Sequence, residues 1–223
     1  MITLHHLEHS RSQRIIWLLE ELGLEYQIQH YARDADTHLA PAALLAVHPL
    51  GKAPVITDGD NVVAESGAII EYLVDRHGGN AGLRPAAGTP EALRWTYWLH
   101  FAEGSMMPPL LVQFIFRRVR KADMPFFARP IAERIADSVE SAFVQPNLGR
   151  QLDFMESELA SRDWFAGDAF TAADIQLSFP LEAAAAREWL NPEKHPRLLG
   201  WLARIQARPA YLRARERGGP YEL

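Results

Sequence analysis

Residues 48–56 read HPLGKAPVI, and Pro54 stands directly before a short apolar run, 55–57, that is predicted to be a β-strand. Proline has no amide proton for a strand ladder, so within sheets it is confined to edges, first positions and bulges. A trans bond before Pro54 would make it an ordinary strand-entry residue. A cis bond would leave the amide and carbonyl of Ala53 without strand partners, so that an extended peptide-like ligand could pair there as an extra strand. The stretch by itself leaves both readings open.

The segments upstream of this proline predict two strands and one helix. Residues 2–7, ITLHHL, form a short strand candidate, and residues 26–30 alternate in the manner of a second strand. Between them, apolar residues recur at helical spacing until Gly23, which suits the left-handed conformation of a helix end. This order predicts a right-handed β–α–β unit with parallel strands.

The segments around and after the proline complete one small domain. A weak helix is predicted over 37–46, and the apolar pieces that flank the DGDN turn at 58–61 predict a β-hairpin. Ser66 is a candidate N-cap for a final helix, and Gly78 is its candidate stop. The order βαβ, short helix, ββ and final helix is that of a thioredoxin-like domain.

A change in composition predicts a second domain. Residues 78–90, GGNAGLRPAAGTP, are rich in Gly, Ala and Pro and show no periodicity. Apolar residues then recur at helical spacing through 91–120, 126–160, 171–186 and 197–217. We therefore predict an α/β thioredoxin-like domain over 1–78, a linker over 79–90 and an all-helical bundle over 91–223.

Composition excludes several classes of function. The 223 residues include no cysteine, so disulfides, thiolate metal sites and a cysteine nucleophile are ruled out, and any thiol chemistry uses a substrate's sulfur. The net charge of −5 resides entirely in the first 85 residues and argues against a nucleic-acid-binding surface. No apolar run is long enough to span a membrane, and the first residues lack the pattern of a secretory signal. A cytoplasmic location is therefore expected.

A serine follows the first strand at the start of the first helix. Ser10 with Gln13 fits the S-x-x-Q capping box, and Ser12 is a competing cap. The functional interpretation is a hydroxyl that donates a hydrogen bond to a ligand thiolate. Hydrogen bonding to the charged form lowers the pKa of a thiol, which is about 8.5 in water. In that role Ser10 stabilises the nucleophile without forming a covalent bond.

A second serine opens the last helix of the predicted first domain. The purely structural interpretation of Ser66 is an N-cap. Beside a site for an extended peptide, however, the free amides of a helix N-terminus favour a ligand carboxylate. Glu65 would bind a ligand ammonium, and together the two residues would recognise an amino-acid head group.

Two further motifs receive a structural interpretation. His5, His6 and His9 form a cluster, but strand geometry sends His5 and His6 to opposite faces, so no metal site is predicted. Thr171 and Asp174 match the [ST]-x-x-[DE] capping pattern and are expected to fix the start of a buried helix, with no part in chemistry.

Taken together, these stretches resemble the cytosolic glutathione transferases over nearly the whole chain. HPLGKAPVITDG, VVAESGAIIEYL and WFAGDAFTAADI stand in the order and spacing of that family's glutathione-binding loop, γ-glutamyl site and capping box. HSRSQRIIWLLEELGLEY, AEGSMMPPLLVQFIF and MPFF look most like the Gtt-type group of fungi and bacteria. The resemblance implies the glutathione transferase fold, with glutathione as co-substrate and no metal.

The resemblance also implies a role for each matching residue. Ser10 matches the serine that stabilises the thiolate in the serine-type classes. The implied contacts of glutathione are Lys52 and His38 for the glycine carboxylate, Ala53 and the cis residue Pro54 for the cysteinyl main chain, and Glu65 and Ser66 for the γ-glutamyl group.

The family's electrophile pocket lies between the two domains, which makes EGSMMPPLLVQFIF the candidate lining. Met106, Met107 and Phe114 are the residues we predict there, and the buried core of a long helix is the alternative for each. Ala53 stands where the family usually has valine. This departure leaves the backbone contact intact and removes packing behind it.

We expect an enzyme, a glutathione S-transferase that joins the glutathione thiol to small hydrophobic electrophiles. Serine rather than cysteine at position 10 disfavours the glutaredoxin-like reductions of the cysteine-type classes. The alternatives are a glutathione-dependent peroxidase and a non-catalytic protein that binds glutathione or other ligands. By analogy with the family, we also expect a two-fold homodimer.

Overall fold

Four strands form one mixed sheet at the N-terminal end of the chain. The computed structural model describes residues 1–35, 37, 39–79, 81–219 and 221. The strands are β1 Ile2–Leu7, β2 Tyr26–Tyr31, β3 Val55–Asp58 and β4 Asn61–Ala64, in the spatial order β2-β1-β3-β4. β1 pairs with β2 in parallel, and β3 pairs antiparallel with both β1 and β4. The β–α–β unit and the hairpin predicted from the sequence are confirmed.

Three helices belong to this part of the chain: α1 Gln13–Leu22, α2 Ala42–Val47 and α3 Ser66–His77. α1 ends at Gly23, whose φ of 63° lies in the left-handed region, as predicted. The predicted helix over 37–46 is wrong in extent. Pro41 precedes α2 in an extended conformation, and a proline disfavours helical geometry in the residue before it, so α2 cannot run further upstream.

The rest of the chain is helical. The helices are α4 Pro90–Phe101, α5 Met107–Lys121, α6 Arg129–Val139, α7 Gln145–Glu158, α8 Ala172–Ala186, α9 Pro196–Gln206 and α10 Pro209–Gly218. Two π-helical turns, Ala102–Met106 and Glu140–Val144, interrupt the long helical stretches expected over 91–120 and 126–160. The thioredoxin-like domain followed by a helical bundle is confirmed as the fold class.

One hydrophobic core joins the sheet helices to the helical bundle. α8 is buried around most of its circumference, which marks it as the central helix. Trp17 of α1 stacks edge-on against Tyr211 of α10, with ring centroids 5.2 Å apart. The Gln13 side chain donates to the Ala214 carbonyl at 2.8 Å. These contacts lock the start of α1 against the C-terminal helix, which determines what surrounds the candidate site.

The start of α8 is closed by its own residues. Thr171 and Asp174 form the predicted capping box, in which the Thr171 amide and hydroxyl donate to Asp174 at 3.0 and 3.1 Å. The Asp174 carboxylate also accepts from the Phe165 amide at 3.2 Å and the Trp201 indole at 3.1 Å. The cap therefore ties α8 to α9 and to the loop before it.

The predicted domain boundaries fall between two helices. α3 ends at His77 and α4 begins at Pro90, with the predicted linker 79–90 between them. The division into 1–78 and 91–223 stays a prediction. Within the described part of the chain, no helix combines the length and apolar character needed to cross a membrane.

Candidate functional site

A cleft of about 110 Å³ brings together most of the residues that the sequence predicted for the site. The predicted residues that line it are Lys52, Ala53, Pro54, Glu65 and Ser66. The peptide bond between Ala53 and Pro54 is cis, as the family resemblance implies. A wider surface hollow of about 760 Å³ runs across residues 84–96, but it is open and Arg84 is the only charged residue in its lining. The cleft at Pro54 carries charges of both signs.

The main chain of Ala53 lies on one side of the cleft. Ala53 stands outside β3, which begins at Val55. Among the described residues, no backbone or side-chain hydrogen bond is made by Ala53. Ala53 is half-buried, and its main-chain amide and carbonyl would offer a peptide ligand in the cleft a donor and an acceptor.

The N-terminus of α3 forms another wall of the cleft. The sequence prediction of Ser66 as N-cap is wrong by one position, because Glu65 holds that place with φ 72° and ψ 125° and Ser66 begins the helix. Ser66 is buried, and its hydroxyl makes no hydrogen bond with a described residue. The first amides of a helix have no partner within it, and the helix dipole adds positive potential there. This wall suits an anion such as a carboxylate.

Ser10 is not part of the lining of the cleft, which includes its neighbour Arg11. The predicted capping box of Ser10 with Gln13 does not form, because Ser12 occupies the N-cap position and the Gln13 side chain reaches α10 instead. The Ser10 hydroxyl donates to the Leu7 carbonyl at 2.7 Å and lies 2.7 Å from the Ser12 hydroxyl. Ser12 is fully buried, whereas Ser10 keeps 8% of its surface exposed.

Charged residues that sequence reasoning missed form the floor of the cleft. Arg11 and Glu103 line it, and Glu103 comes from the π-helical turn Ala102–Met106. Arg14 is almost fully buried, donates to the Gln176 carbonyl at 2.7 Å and forms an ion pair with Glu103. Burial by itself raises the pKa of Glu103, but the charges of Arg14 and Arg11 hold that pKa below its usual value. Glu103 is therefore a fixed carboxylate at the cleft.

Only one sequence signal pointed towards this ionic group. The stretch that contains Glu103, EGSMMPPLLVQFIF, is the candidate lining of the electrophile pocket that the family resemblance implies. The side chains of Arg14 and Glu103 are 89 positions apart, so their pairing depends on how α1 packs beside the π-helical turn. The remaining lining residues that the sequence analysis did not name are His48, Leu50 and Ala64.

The predicted electrophile residues lie outside this cleft. Met106 is fully buried in the hydrophobic core, and Met107 packs against that core. Phe114 is 43% exposed, with the guanidinium groups of Arg118 and Arg187 over its ring. His38, the other predicted contact of the glycine carboxylate, lies outside the described residues. The lining of the electrophile pocket stays a prediction.

The histidine cluster divides between two environments, as strand geometry predicts. His5 lies 2.9 Å from the Tyr31 hydroxyl, whereas His6 lies 2.7 Å from the Ser12 hydroxyl and 3.0 Å from the Gly218 carbonyl. No three His, Asp or Glu side chains of the described segments are grouped as a metal site would need.

Comparison with known proteins places this geometry in a family. Residues 1–75 match the model of the glutathione S-transferase N-terminal domain, and residues 114–209 match that of the C-terminal domain. The chain is 34% identical to glutathione S-transferase 1 of Saccharomyces cerevisiae over 97% of this chain and 95% of that protein. It is 36% identical to glutathione S-transferase 3 of Schizosaccharomyces pombe, over 94% and 85% of the two chains.

A solved structure agrees with both sequence matches. The crystal structure of a glutathione S-transferase from Actinobacillus pleuropneumoniae superposes with a TM-score of 0.77 at 36% identity, covering 98% of this chain and 93% of that one. The chain belongs to the glutathione S-transferase family. It is an enzyme of that family, whose members use glutathione as a substrate.

Proposed function

We propose that the cleft binds reduced glutathione and that Ser10 stabilises its thiolate for attack on a small hydrophobic electrophile. The observation that supports this proposal is that one cleft is lined by two main-chain segments whose polar groups are available to a ligand. Ala53 offers a backbone edge for the cysteinyl unit, and the start of α3 offers amides for the γ-glutamyl carboxylate. Lys52 lies on the same cleft and provides a cation for the glycine carboxylate.

The charges of the cleft support a zwitterionic ligand. The γ-glutamyl group carries an ammonium as well as a carboxylate, and Glu65 stands beside the amides that would hold the carboxylate. Glu103 adds a second negative charge, which is already neutralised by Arg14 and Arg11. The Arg11–Arg14–Glu103 group keeps a net charge of +1, and Lys52 and Glu65, which form no ion pair with a described residue, add one charge of each sign for the ligand. Catalysis would then consist of positioning and of stabilising the thiolate.

Of the two serines, Ser10 is better placed to contact the thiol. Ser12 is fully buried and the ring of His6 lies against its hydroxyl. Ser10 keeps some exposed surface and precedes Arg11, which lines the cleft. The serine-type assignment within the family rests on this residue.

Replacing Ser10 by Ala tests the assignment. One hydrogen bond to a charged group contributes roughly 1.5–3 kcal/mol, so we expect kcat to fall about 10- to 100-fold. The KM for glutathione should change little, because the predicted binding contacts stay in place. Initial rates with an activated aryl halide over a range of glutathione concentrations give both constants. An unchanged kcat would move the role to Ser12 or to a backbone amide.

Assembly and location are further parts of the proposal. We expect a two-fold homodimer, and exposed apolar side chains on α4, Leu93 and Tyr97, and on β4, Val62, support a surface that is covered in solution. Light scattering at several concentrations would show a monomer if this expectation is wrong. A cytoplasmic location also stays a prediction.

A further inference from the structure

A chain of hydrogen bonds runs from Ser10 away from the cleft to the C-terminal end of α10. The Ser10 and Ser12 hydroxyl oxygens are 2.7 Å apart, and the Ser12 hydroxyl is 2.7 Å from His6 Nδ1. His6 Nε2 lies 3.0 Å from the carbonyl oxygen of Gly218. All four residues are buried. Gly218 packs closely against α1, because a Cβ atom at this position would lie 2.0 Å from the Gln13 side-chain oxygen.

The donor and the acceptor in each hydrogen bond of this chain follow from its last acceptor, the Gly218 carbonyl. A carbonyl oxygen only accepts, so His6 Nε2 carries the proton that is donated to Gly218. In a neutral imidazole Nδ1 is then an acceptor, and Ser12 donates to it. The Ser12 hydroxyl proton is then engaged with His6, so the Ser10 hydroxyl donates either to the Ser12 oxygen or to the Leu7 carbonyl.

Donation from Ser10 to an anion in the cleft disturbs this arrangement. When the Ser10 proton turns outward, either the Ser12 oxygen or the Leu7 carbonyl loses its donor. The Ser12 hydroxyl is then drawn towards Ser10 at 2.7 Å or towards Leu7 at 3.4 Å. His6 Nδ1 then loses its donor, and an unpaired buried polar atom is costly. A proton on both His6 nitrogens removes the conflict, because Nδ1 donates to Ser12, Ser12 to Ser10, and Ser10 to the anion.

We propose that ionisation of the glutathione thiol at Ser10 is coupled, through Ser12, to protonation of His6. This inference rests on the proposed function, in which Ser10 faces the thiol. In the coupled step the S–H bond breaks and the His6 Nδ1–H bond forms, while the hydroxyl protons of Ser10 and Ser12 each move one place along the chain. No other reactant is needed. His6 and Ser12 are positioning residues, since neither touches the sulfur.

The groups around His6 determine when it takes up a proton. His30 of β2 lies edge-on with ring centroids 5.3 Å apart, Glu8 and His9 come from the turn after β1, and α10 contributes the Gly218 carbonyl. In the free protein, burial, followed by the charge of His30, lowers the pKa of His6 to about 4. The ring is therefore neutral near pH 7 and able to accept.

A thiolate at Ser10 changes this balance. Its negative charge favours the imidazolium and raises the pKa of His6. Because linkage is reciprocal, the imidazolium lowers the pKa of the bound thiol by the same amount. The measurable signature is an increase in the pKa of His6 that depends on an ionisable sulfur, not merely on occupation of the cleft.

The experiment compares two ligands on the wild-type protein. The pKa of the His6 ring is followed by NMR of ¹⁵N-histidine-labelled protein, free, with glutathione and with S-methylglutathione. We expect glutathione to raise the pKa of His6 from about 4 to above 7, because the coupled step requires the ring to hold the thiol proton near neutral pH, and S-methylglutathione to leave that pKa near the free value. An equal pKa in both complexes overturns the coupling. Because no residue is replaced, this arm does not depend on a variant that folds.

Variants separate the coupling from the role of Ser10. The pKa of the bound thiol is read from thiolate absorbance against pH for Ser12→Ala, with His5→Gln as the control, since His5 bonds to Tyr31 outside the chain. We expect Ser12→Ala to raise the thiol pKa by about one unit and His5→Gln to leave it unchanged. If only Ser10→Ala raises it, Ser10 keeps its role and the coupling is wrong. If Ser10→Ala also leaves it unchanged, the proposed function itself fails.

Discussion

Two helices of this protein begin with polar residues that the sequence predicts as caps, but the two helix N-termini differ in how they are satisfied. At α8, Asp174 accepts from Thr171, Phe165 and Trp201, and its side chain has no exposed surface. At α3, neither the Glu65 side chain nor the Ser66 hydroxyl bonds to another described residue, and both line the cleft. One N-terminus is closed by the protein and the other is left open.

The difference shows how the same local chemistry serves stability in one place and binding in another. Burial raises the pKa of Asp174, while the donors around it oppose that rise, so the cap is a self-contained unit inside the core. The amides of α3 face a cleft instead, where a ligand can complete them. The unpaired amides at the start of α3 lower the stability of the free protein, and a bound anion would restore it by accepting their hydrogen bonds.

Removing the closed cap should have the largest effect. Asp174→Ala leaves the Thr171 and Phe165 amides and the Trp201 indole without an acceptor, so we expect a loss of about 3 kcal/mol or more in the free energy of unfolding. Urea unfolding followed by tryptophan fluorescence measures it. Asp168→Ala, an exposed carboxylate in the same loop, should lose less than about 0.5 kcal/mol. Equal losses in the two variants would contradict the assigned role of the cap.

Replacing Ser66 should weaken the binding of glutathione and leave the stability of the protein unchanged. Ser66→Ala deletes a hydroxyl that has no partner within the described protein, so the free energy of unfolding should change by less than about 0.5 kcal/mol. Loss of its bond to the ligand carboxylate should raise the KM for glutathione about tenfold. Ser141→Ala, in the π-helical turn Glu140–Val144 and outside the cleft lining, is the control for the kinetics. A stability loss without a change in KM would show that Ser66 stabilises the start of α3 and does not contact the ligand.

The smallest effect concerns the conformation of Glu65. Its φ of 72° lies in the left-handed region, which glycine adopts without penalty, so Glu65→Gly should stabilise the free protein by about 1 kcal/mol. The same change should weaken glutathione binding, because the carboxylate for the ligand ammonium is lost. Glu65→Gln separates the two effects, since it removes the charge and keeps the strain. Thermal unfolding and the KM for glutathione report them; a Gly variant less stable than wild type would refute the argument.

The sequence predicted the parts of the site that depend on local geometry. The hairpin after Pro54, the parallel β1–β2 pair and the α8 cap follow from spacing and capping chemistry, which act over a few residues. Five of the residues predicted for the site line one cleft: Lys52, Ala53, Pro54, Glu65 and Ser66. Their roles towards glutathione stay a prediction.

Other parts of the site could not be read from the chain. Ser10 with Gln13 matched a capping box, yet Gln13 bonds to α10 because Ala214 packs beside it. The Arg14–Glu103 pair joins α1 to the π-helical turn before α5, and no local pattern specifies that distance. Met106 was equally consistent with a pocket and with the core until packing placed it in the core.

The sequence alone determined the order of strands and helices, the family, and the candidate contacts for glutathione, because these depend on periodicity, turn residues and motifs that are contiguous in the chain. The tertiary structure decided which polar groups stay open and which are closed. Only packing brings the Gly218 carbonyl to His6 and Glu103 to Arg14, since partners for buried polar atoms come from segments that are far apart in sequence.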